Sequence, residues 1–203
     1  MLETLTGIGL ASAAGLNAYI PLLAIGLLGR FTDLVSLPAG WAWITNDWML
    51  ILVAVLGTIE LIADKVPVVD SINDVAQTVI RPASGGIVFG AGTAATTTAV
   101  ADPGGLFTEQ TWISVVVGIV ISLSIHLAKA STRAAATTTT AGVVTPVIST
   151  GEDAMSIGFV AAALLAPVLV LLLFAALILL ALTFVRMLRI RRRTRRELAA
   201  RPA

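Results

Sequence analysis

Long stretches of this chain carry no charged residue, among them Thr4–Gly29, Pro82–Ala101, Gln110–Ile125 and Ala154–Val185. About twenty apolar residues in a helix, at 1.5 Å each, cross the ~30 Å hydrocarbon core of a bilayer. Hydrophobic residues make up 57% of the 203 residues. Charged residues make up 12%, where an ordinary soluble domain carries about a quarter. One soluble core could not enclose so much apolar surface. The soluble classes are excluded, and the chain reads as an all-α integral membrane protein.

Five segments read as membrane helices: 4–29, 48–63, 84–101, 112–130 and 154–186. Gly15, Asn17 and Pro21 loosen or kink the first. Trp41, Trp43 and Trp48 mark a bilayer interface ahead of the second. The third is built from small and hydroxyl residues (Gly90 to Thr98) and suits close backbone contact inside a bundle. Asp102-Pro103-Gly104-Gly105 supplies turn chemistry after it. The fifth is too long for an untilted crossing, so tilt, a kink at Pro167 or an interfacial start is expected. Two non-spanning inserts, re-entrant or interfacial, separate the second span from the third and the fourth from the fifth. The membrane domain thus covers 1–187, with a basic tail over 188–203. Glu3 stands where a secretory signal would carry basic residues.

Residues 1–185 hold five Lys/Arg against eleven Asp/Glu, a balance of −6, and residues 186–203 hold eight Arg and one Glu, a balance of +7. Basic residues accumulate on the cytoplasmic side, which places the tail in the cytoplasm. Arg189, Arg191, Arg192, Arg193, Arg195 and Arg196 would attract anionic lipid head groups there, although a stop-transfer flank explains them equally. Beside a membrane span, lipid is a better partner than nucleic acid. Five crossings put Lys65, Arg81, Lys129 and Arg133 outside, against the same rule. A sixth crossing through 134–150 would return them to the cytoplasm, but its Thr run, Gly142 and Pro146 make a poor helix.

Trp48–Ala63, Lys65 and Pro82 parallel Trp112–Ala128, Lys129 and Pro146, with seventeen residues from Lys to Pro in both. This is either an internal duplication, as transporter folds use, or two unrelated hairpins. Within the first insert, Asp70 can cap a short helix that places Asp74, Gln77 and Arg81 near one another.

Glu60 and Asp64 share one face of the second span, and His126, Lys129 and Arg133 share one face of the fourth. The two spans run in the same direction, and Glu60 and His126 lie at similar depth. A mid-span charge costs roughly 2.5–3.5 kcal/mol, so facing lipid is unfavourable. The acidic and basic faces are expected to meet. Their contact is either an ion-pair network that sets helix register or a polar path. In the path reading Glu60 accepts a proton or cation, His126 titrates near neutral pH, and Lys129 and Arg133 attract an anionic group. Asn17 needs a polar partner at depth. Thr96–Thr98 and Thr137–Thr140 either line a hydrated path or bond their own helices. One His and no Cys make a metal site or cofactor unexpected, and no nucleophile motif supports an enzyme.

Gly15-Leu16-Asn17-Ala18-Tyr19-Ile20-Pro21-Leu22-Leu23 resembles the opening of the bacterial membrane family called domain of unknown function 4126 (DUF4126). Glu60 to Asp70, Ile80-Arg81-Pro82, His126 to Arg133 and Ser149-Thr150-Gly151-Glu152-Asp153 are similar to its other motifs. The resemblance implies a small bacterial inner-membrane protein without an established activity, and it adds Glu152 and Asp153 to the candidates. Three functions follow as expectations: transport of an ion or small polar solute past the cluster, a non-catalytic scaffold, and handling of an anionic lipid head group. Self-association fits so small a bundle, with no interface to name.

Overall fold

The computed structural model describes residues 1–104, 111–140 and 143–176, together with 178, 179, 183 and 186. It divides into two units, Met1–Val170 and Leu171–Ala203. The second is helical over 171–176. The rest of this section concerns the first unit.

Its elements are α1 (Leu2–Leu16), α2 (Tyr19–Phe31), β1 (Val35–Ser36), a 3-10 helix (Ala39–Thr45), α3 (Asp47–Ala63), α4 (Pro67–Ala94), β2 (Thr96–Thr97), α5 (Thr111–Thr140) and α6 (Thr145–Leu165). β1 and β2 pair antiparallel, with Val35 opposite Thr97. The α5 and α6 helices are long and apolar enough to cross a membrane, as is the bent pair formed by the 3-10 helix and α3.

The chain reverses where the sequence reads as one kinked span. Asn17 has extended backbone (φ −145°, ψ 119°), and its Oδ1 accepts from the Tyr19 and Ile20 N–H groups at 3.1 and 3.2 Å. That side chain satisfies donors that every helix start leaves free. Pro21 falls in the first turn of α2, where a missing N–H costs nothing. Contacts with α6 show the reversal. Thr6 bonds the Ala163 carbonyl and Ser156 bonds the Ala13 carbonyl, so α1 and α6 are antiparallel. Asn17 reaches Asp153, whereas Leu28 and Leu34 share a cavity with Ile157, Val160 and Leu164. The α2 helix therefore runs parallel to α6 and back along α1. Residues 4–29 form a helical hairpin, not one crossing.

The two inserts are also absent as separate elements. Pro67 begins α4 and the helix continues through Pro82, so the first insert and the third span are one helix. The helix stops at Ala94, seven residues before the expected end at 101, because Thr96 and Thr97 join the small sheet. Likewise α5 extends through 131–140, and α6 starts at Thr145. Thus 134–150 divides between two helices. Pro82 lies inside a helix and Pro146 at the start of one, so these two landmarks of the duplication do not match structurally. The fifth span is divided as well: α6 ends at Leu165, before Pro167, and helix resumes at 169.

The α1 helix is the core of the bundle, packed against α4, α5 and α6. Leu10, Ala11, Ala13 and Ala14 have no exposed surface. The α4 and α5 helices cross so closely that a Cβ on Gly85 would lie 2.8 Å from the Gly118 carbonyl oxygen. Small residues permit this approach, and close contact recovers dispersion energy. Outside, the pattern is inverted relative to a soluble protein. Ile72, Val75 and Val79 of α4 are 71, 74 and 73% exposed, while Gln77 and Arg81 of the same helix are 1 and 0% exposed. An apolar exterior with charges turned inward fits hydrocarbon as the solvent.

Candidate functional site

The acidic and basic faces do meet, and the contact is built by five helices. Asp64, just beyond α3, lies 3.4 Å from Lys129 Nζ and 3.5 Å from both Arg81 Nη2 and Arg133 Nη2. Its other oxygen accepts from Asn73 Nδ2 at 2.9 Å. Burial pushes the Asp64 pKa up, but the Lys129 ammonium, then Arg133 and Arg81, outweigh it and hold the carboxyl below the usual range. Arg133 forks onto Glu152 of α6, with Nε to Oε2 at 3.0 Å and Nη2 to Oε2 at 2.6 Å. Lys129 lies 3.2 Å from Glu152 as well.

Glu60 and His126 lie at one level, yet Arg81 stands between them. Arg81 Nη2 donates to Glu60 Oε1 at 2.9 Å, and Nη1 lies 3.1 Å from His126 Nδ1. Arginine has no acceptor and keeps its charge. His126 Nδ1 must therefore accept, which leaves the proton on Nε2, 3.1 Å from Thr78 Oγ1. The Thr78 hydroxyl in turn donates to the Asp74 carbonyl at 2.9 Å. This geometry holds His126 as the neutral Nε2–H tautomer. The polar-path reading expects His126 to be a titrating neighbour of Glu60; here both ring nitrogens are engaged, by Arg81 and by Thr78.

The hairpin tip closes the cluster. Lys129 Nζ donates to the Leu16 carbonyl at 2.8 Å, so an ammonium sits at the negative end of α1. Asn17 Nδ2 donates to Asp153 Oδ1 at 3.0 Å, and Lys65 Nζ lies 3.5 Å from Asp153 Oδ2. Ser84 of α4 bonds the Ala18 carbonyl at 2.6 Å. Arg81 is fourteen residues from the start of α4 and thirteen from its end, about 20 Å from each. The short helices α1 and α2 thus meet at half the length of α4.

Of the expected site residues, Glu60, Asp64, Arg81, His126, Lys129, Arg133 and Glu152 share this network, with Asn17, Lys65 and Asp153 at its rim. The Asp70 side chain and Arg189, Arg191, Arg192, Arg193, Arg195 and Arg196 lie outside the described residues, as do the side chains of Thr137–Thr140. Asn73, Asp74, Gln77 and Thr78 also belong to the site. Their spacing from Arg81 along one helical face is the signal that finds them. Thr96 and Thr97 are strand residues at the small sheet and line nothing here. Among the described residues, no group of three His, Cys, Asp or Glu could hold a metal ion.

Among the described residues, five buried side-chain atoms have no hydrogen-bond partner: Glu60 Oε2, Asp74 Oδ1, Gln77 Oε1, Arg81 Nε and Ser149 Oγ. The first four lie on Arg81, on residues touching it, or one helical turn from it; Ser149 is on α6. An unsatisfied buried polar atom costs about 1–3 kcal/mol; for Asp74 Oδ1 the Arg81 guanidinium, 4.0 Å away, offsets part of that.

A family model described as a domain of unknown function (DUF4126) matches residues 4–187. No curated protein and no solved structure matches the chain.

Proposed function

Since the chain belongs to the DUF4126 family of unknown function, we propose from its site that it is an inner-membrane protein that carries an ion or small polar solute past the Glu60–Arg81–Asp64 cluster. The observation behind this reading is the α1–α2 hairpin, whose tip at Leu16 and Asn17 reaches the buried charged cluster at the level of Arg81 and Ser84, halfway along α4. Interrupted helices ending at a buried polar site are how many membrane carriers present backbone groups to a solute.

The hairpin also removes a conflict over orientation. With α1 and α2 entering and returning on one side, the crossings within the first unit become α3, α4, α5 and α6. Lys65 and the α5–α6 connection then share one side, and Leu2 and residues 32–46 share the other. Lys65, Lys129 and Arg133 lie toward the first side and Arg30 alone toward the second, so positive-inside bias makes the first side cytoplasmic. Cysteines placed at Leu2 and Phe31 should react from the periplasmic side alone, and one at Val66 from the cytoplasmic side. Labelling of Leu2 and Phe31 from opposite sides would refute the topology.

Flux into proteoliposomes tests the activity. Glu60→Gln should slow uptake of the carried solute at least tenfold while the protein still inserts and unfolds cooperatively. A second reading, a scaffold with a structural ion network, draws on the two-point contact between Arg133 and Glu152 and on the three partners of Asp64. Absence of flux for every solute tried, together with lost stability in the variant, would favour the scaffold.

A further inference from the structure

Among the described side chains, the charges around Arg81 balance only if one carboxyl group is neutral. Four acids, Glu60 and Asp64 of the α3 end, Asp74 of α4 and Glu152 of α6, face three fixed cations, Arg81 of α4 and Lys129 and Arg133 of α5. Lys65 and Asp153 pair with each other at the rim. His126 of α5 adds no cation, because its Nδ1 accepts from Arg81 and a guanidinium can only donate. Tyr19 of α2 is a phenol bonded by Gln77 and is uncharged at pH 7. The α1 helix has no titratable side chain besides Glu3, in its first turn at the far end.

The four acids are unequally supported. Asp64 has three cations within 3.5 Å and accepts from Asn73 as well. Glu152 lies 2.6 Å from Arg133 and 3.2 Å from Lys129. Asp74 is 4.0 Å from Arg81, but its side chain is 19% exposed and so partly hydrated. Glu60 has the least. Its Oε1 accepts from Arg81 Nη2 at 2.9 Å, its Oε2 has no partner, and its side chain is 1% exposed. A buried carboxyl short of donors neutralises itself by holding a proton. Every contact survives that change: Oε1 of the neutral acid still accepts from Arg81, and the guanidinium keeps Asp64 and Asp74 as counter-charges. One proton can therefore come and go at Glu60 without stranding Arg81.

We propose that Glu60 is a neutral carboxylic acid in the resting protein, with its proton on Oε2, and that this exchangeable proton is the ion the cluster binds. The inference rests on reading the cluster as an ion or solute site, and it names the ion. Arg81 is the positioning residue: it fixes Oε1 as the accepting oxygen and leaves Oε2 for the proton.

The test is infrared spectroscopy of the purified full-length protein in nanodiscs at pH 7. The wild type should show the C=O band of a protonated carboxyl group, which ionised carboxylates lack. That band should shift in deuterium oxide and should shift again when glutamate, but not aspartate, is labelled with carbon-13. Glu60→Gln keeps an acceptor for Arg81 and cannot ionise, so it should fold and lose the band completely. Asp64→Asn removes the excess negative charge elsewhere, so its band should disappear at a lower pH than that of the wild type. Absence of the band in the wild type would overturn the proposal, as would a band that survives Glu60→Gln or follows labelled aspartate. The labelled wild type gives that answer even if a variant fails to fold. A band unmoved by deuterium oxide would overturn the exchangeable proton. The readout is independent of flux: a protein that shows the exchanging band but moves no solute refutes carriage and leaves the proton site standing. A protein that moves a solute without any such band refutes the proton site alone.

Discussion

Replacing Asp64 by Asn removes the charge on which three cations converge, while the amide oxygen can still accept from Asn73. The carboxylate lies 3.4 Å from Lys129 and 3.5 Å from Arg81 and Arg133. At an effective dielectric of about 20, each such pair is worth roughly 5 kcal/mol of gross attraction. Most of that is offset by the cost of removing the charges from water, and breaking a buried pair typically leaves a net loss of about 3–5 kcal/mol. Reversible unfolding in mixed micelles, followed by tryptophan fluorescence, should show a loss in that range. Adding Lys129→Met removes one stranded cation, so the double variant should be more stable than the sum of the single losses by about 1–3 kcal/mol. The pH dependence has a fixed sign. Because the folded Asp64 pKa lies below its ordinary value of 3.8, its contribution is complete above about pH 3.8 and is lost as pH falls through the folded value. Asp64→Asn should therefore show a shallower loss of stability at acid pH than the wild type. A loss under about 1 kcal/mol, or strictly additive losses in the cycle, would refute the role of Asp64 as the hub.

His126→Gln keeps an acceptor for Arg81 and a donor for Thr78, so its unfolding free energy should stay within about 1 kcal/mol of wild type; His126→Leu strands both partners and should cost about 1–3 kcal/mol. Nitrogen NMR of labelled histidine at pH 7 should show the Nε2–H tautomer. Gly85→Ala forces α4 and α5 apart at the Gly118 carbonyl and should cost about 1–3 kcal/mol in the same unfolding assay. Asn17→Ala removes both the α2 cap and the bond to Asp153, with an expected loss of about 1–2 kcal/mol; Asn17→Asp sets a second carboxylate against Asp153 and should lose more. Cysteines at Ile72, Val75 and Val79 should react with bilayer-soluble reagents and resist water-soluble ones.

Hydrophobicity alone predicted helices apolar enough to cross a membrane, and the described residues hold two such helices and one bent pair, because long uncharged stretches favour an apolar environment. Residue spacing determined which charges share a helical face, and the cost of a charge in hydrocarbon predicted that the faces of Glu60 and Asp64 and of Lys129 and Arg133 would meet. Packing decided the rest. Whether Asn17 loosens a span or reverses it depends on distant partners, Asp153 and the α6 helix, that local sequence does not identify. Whether Pro82 ends a helix depends on its neighbours, which here keep α4 continuous through it. The place of Arg81 between Glu60 and His126 follows from α4 lying antiparallel to α5, a long-range arrangement that no periodicity in the chain encodes.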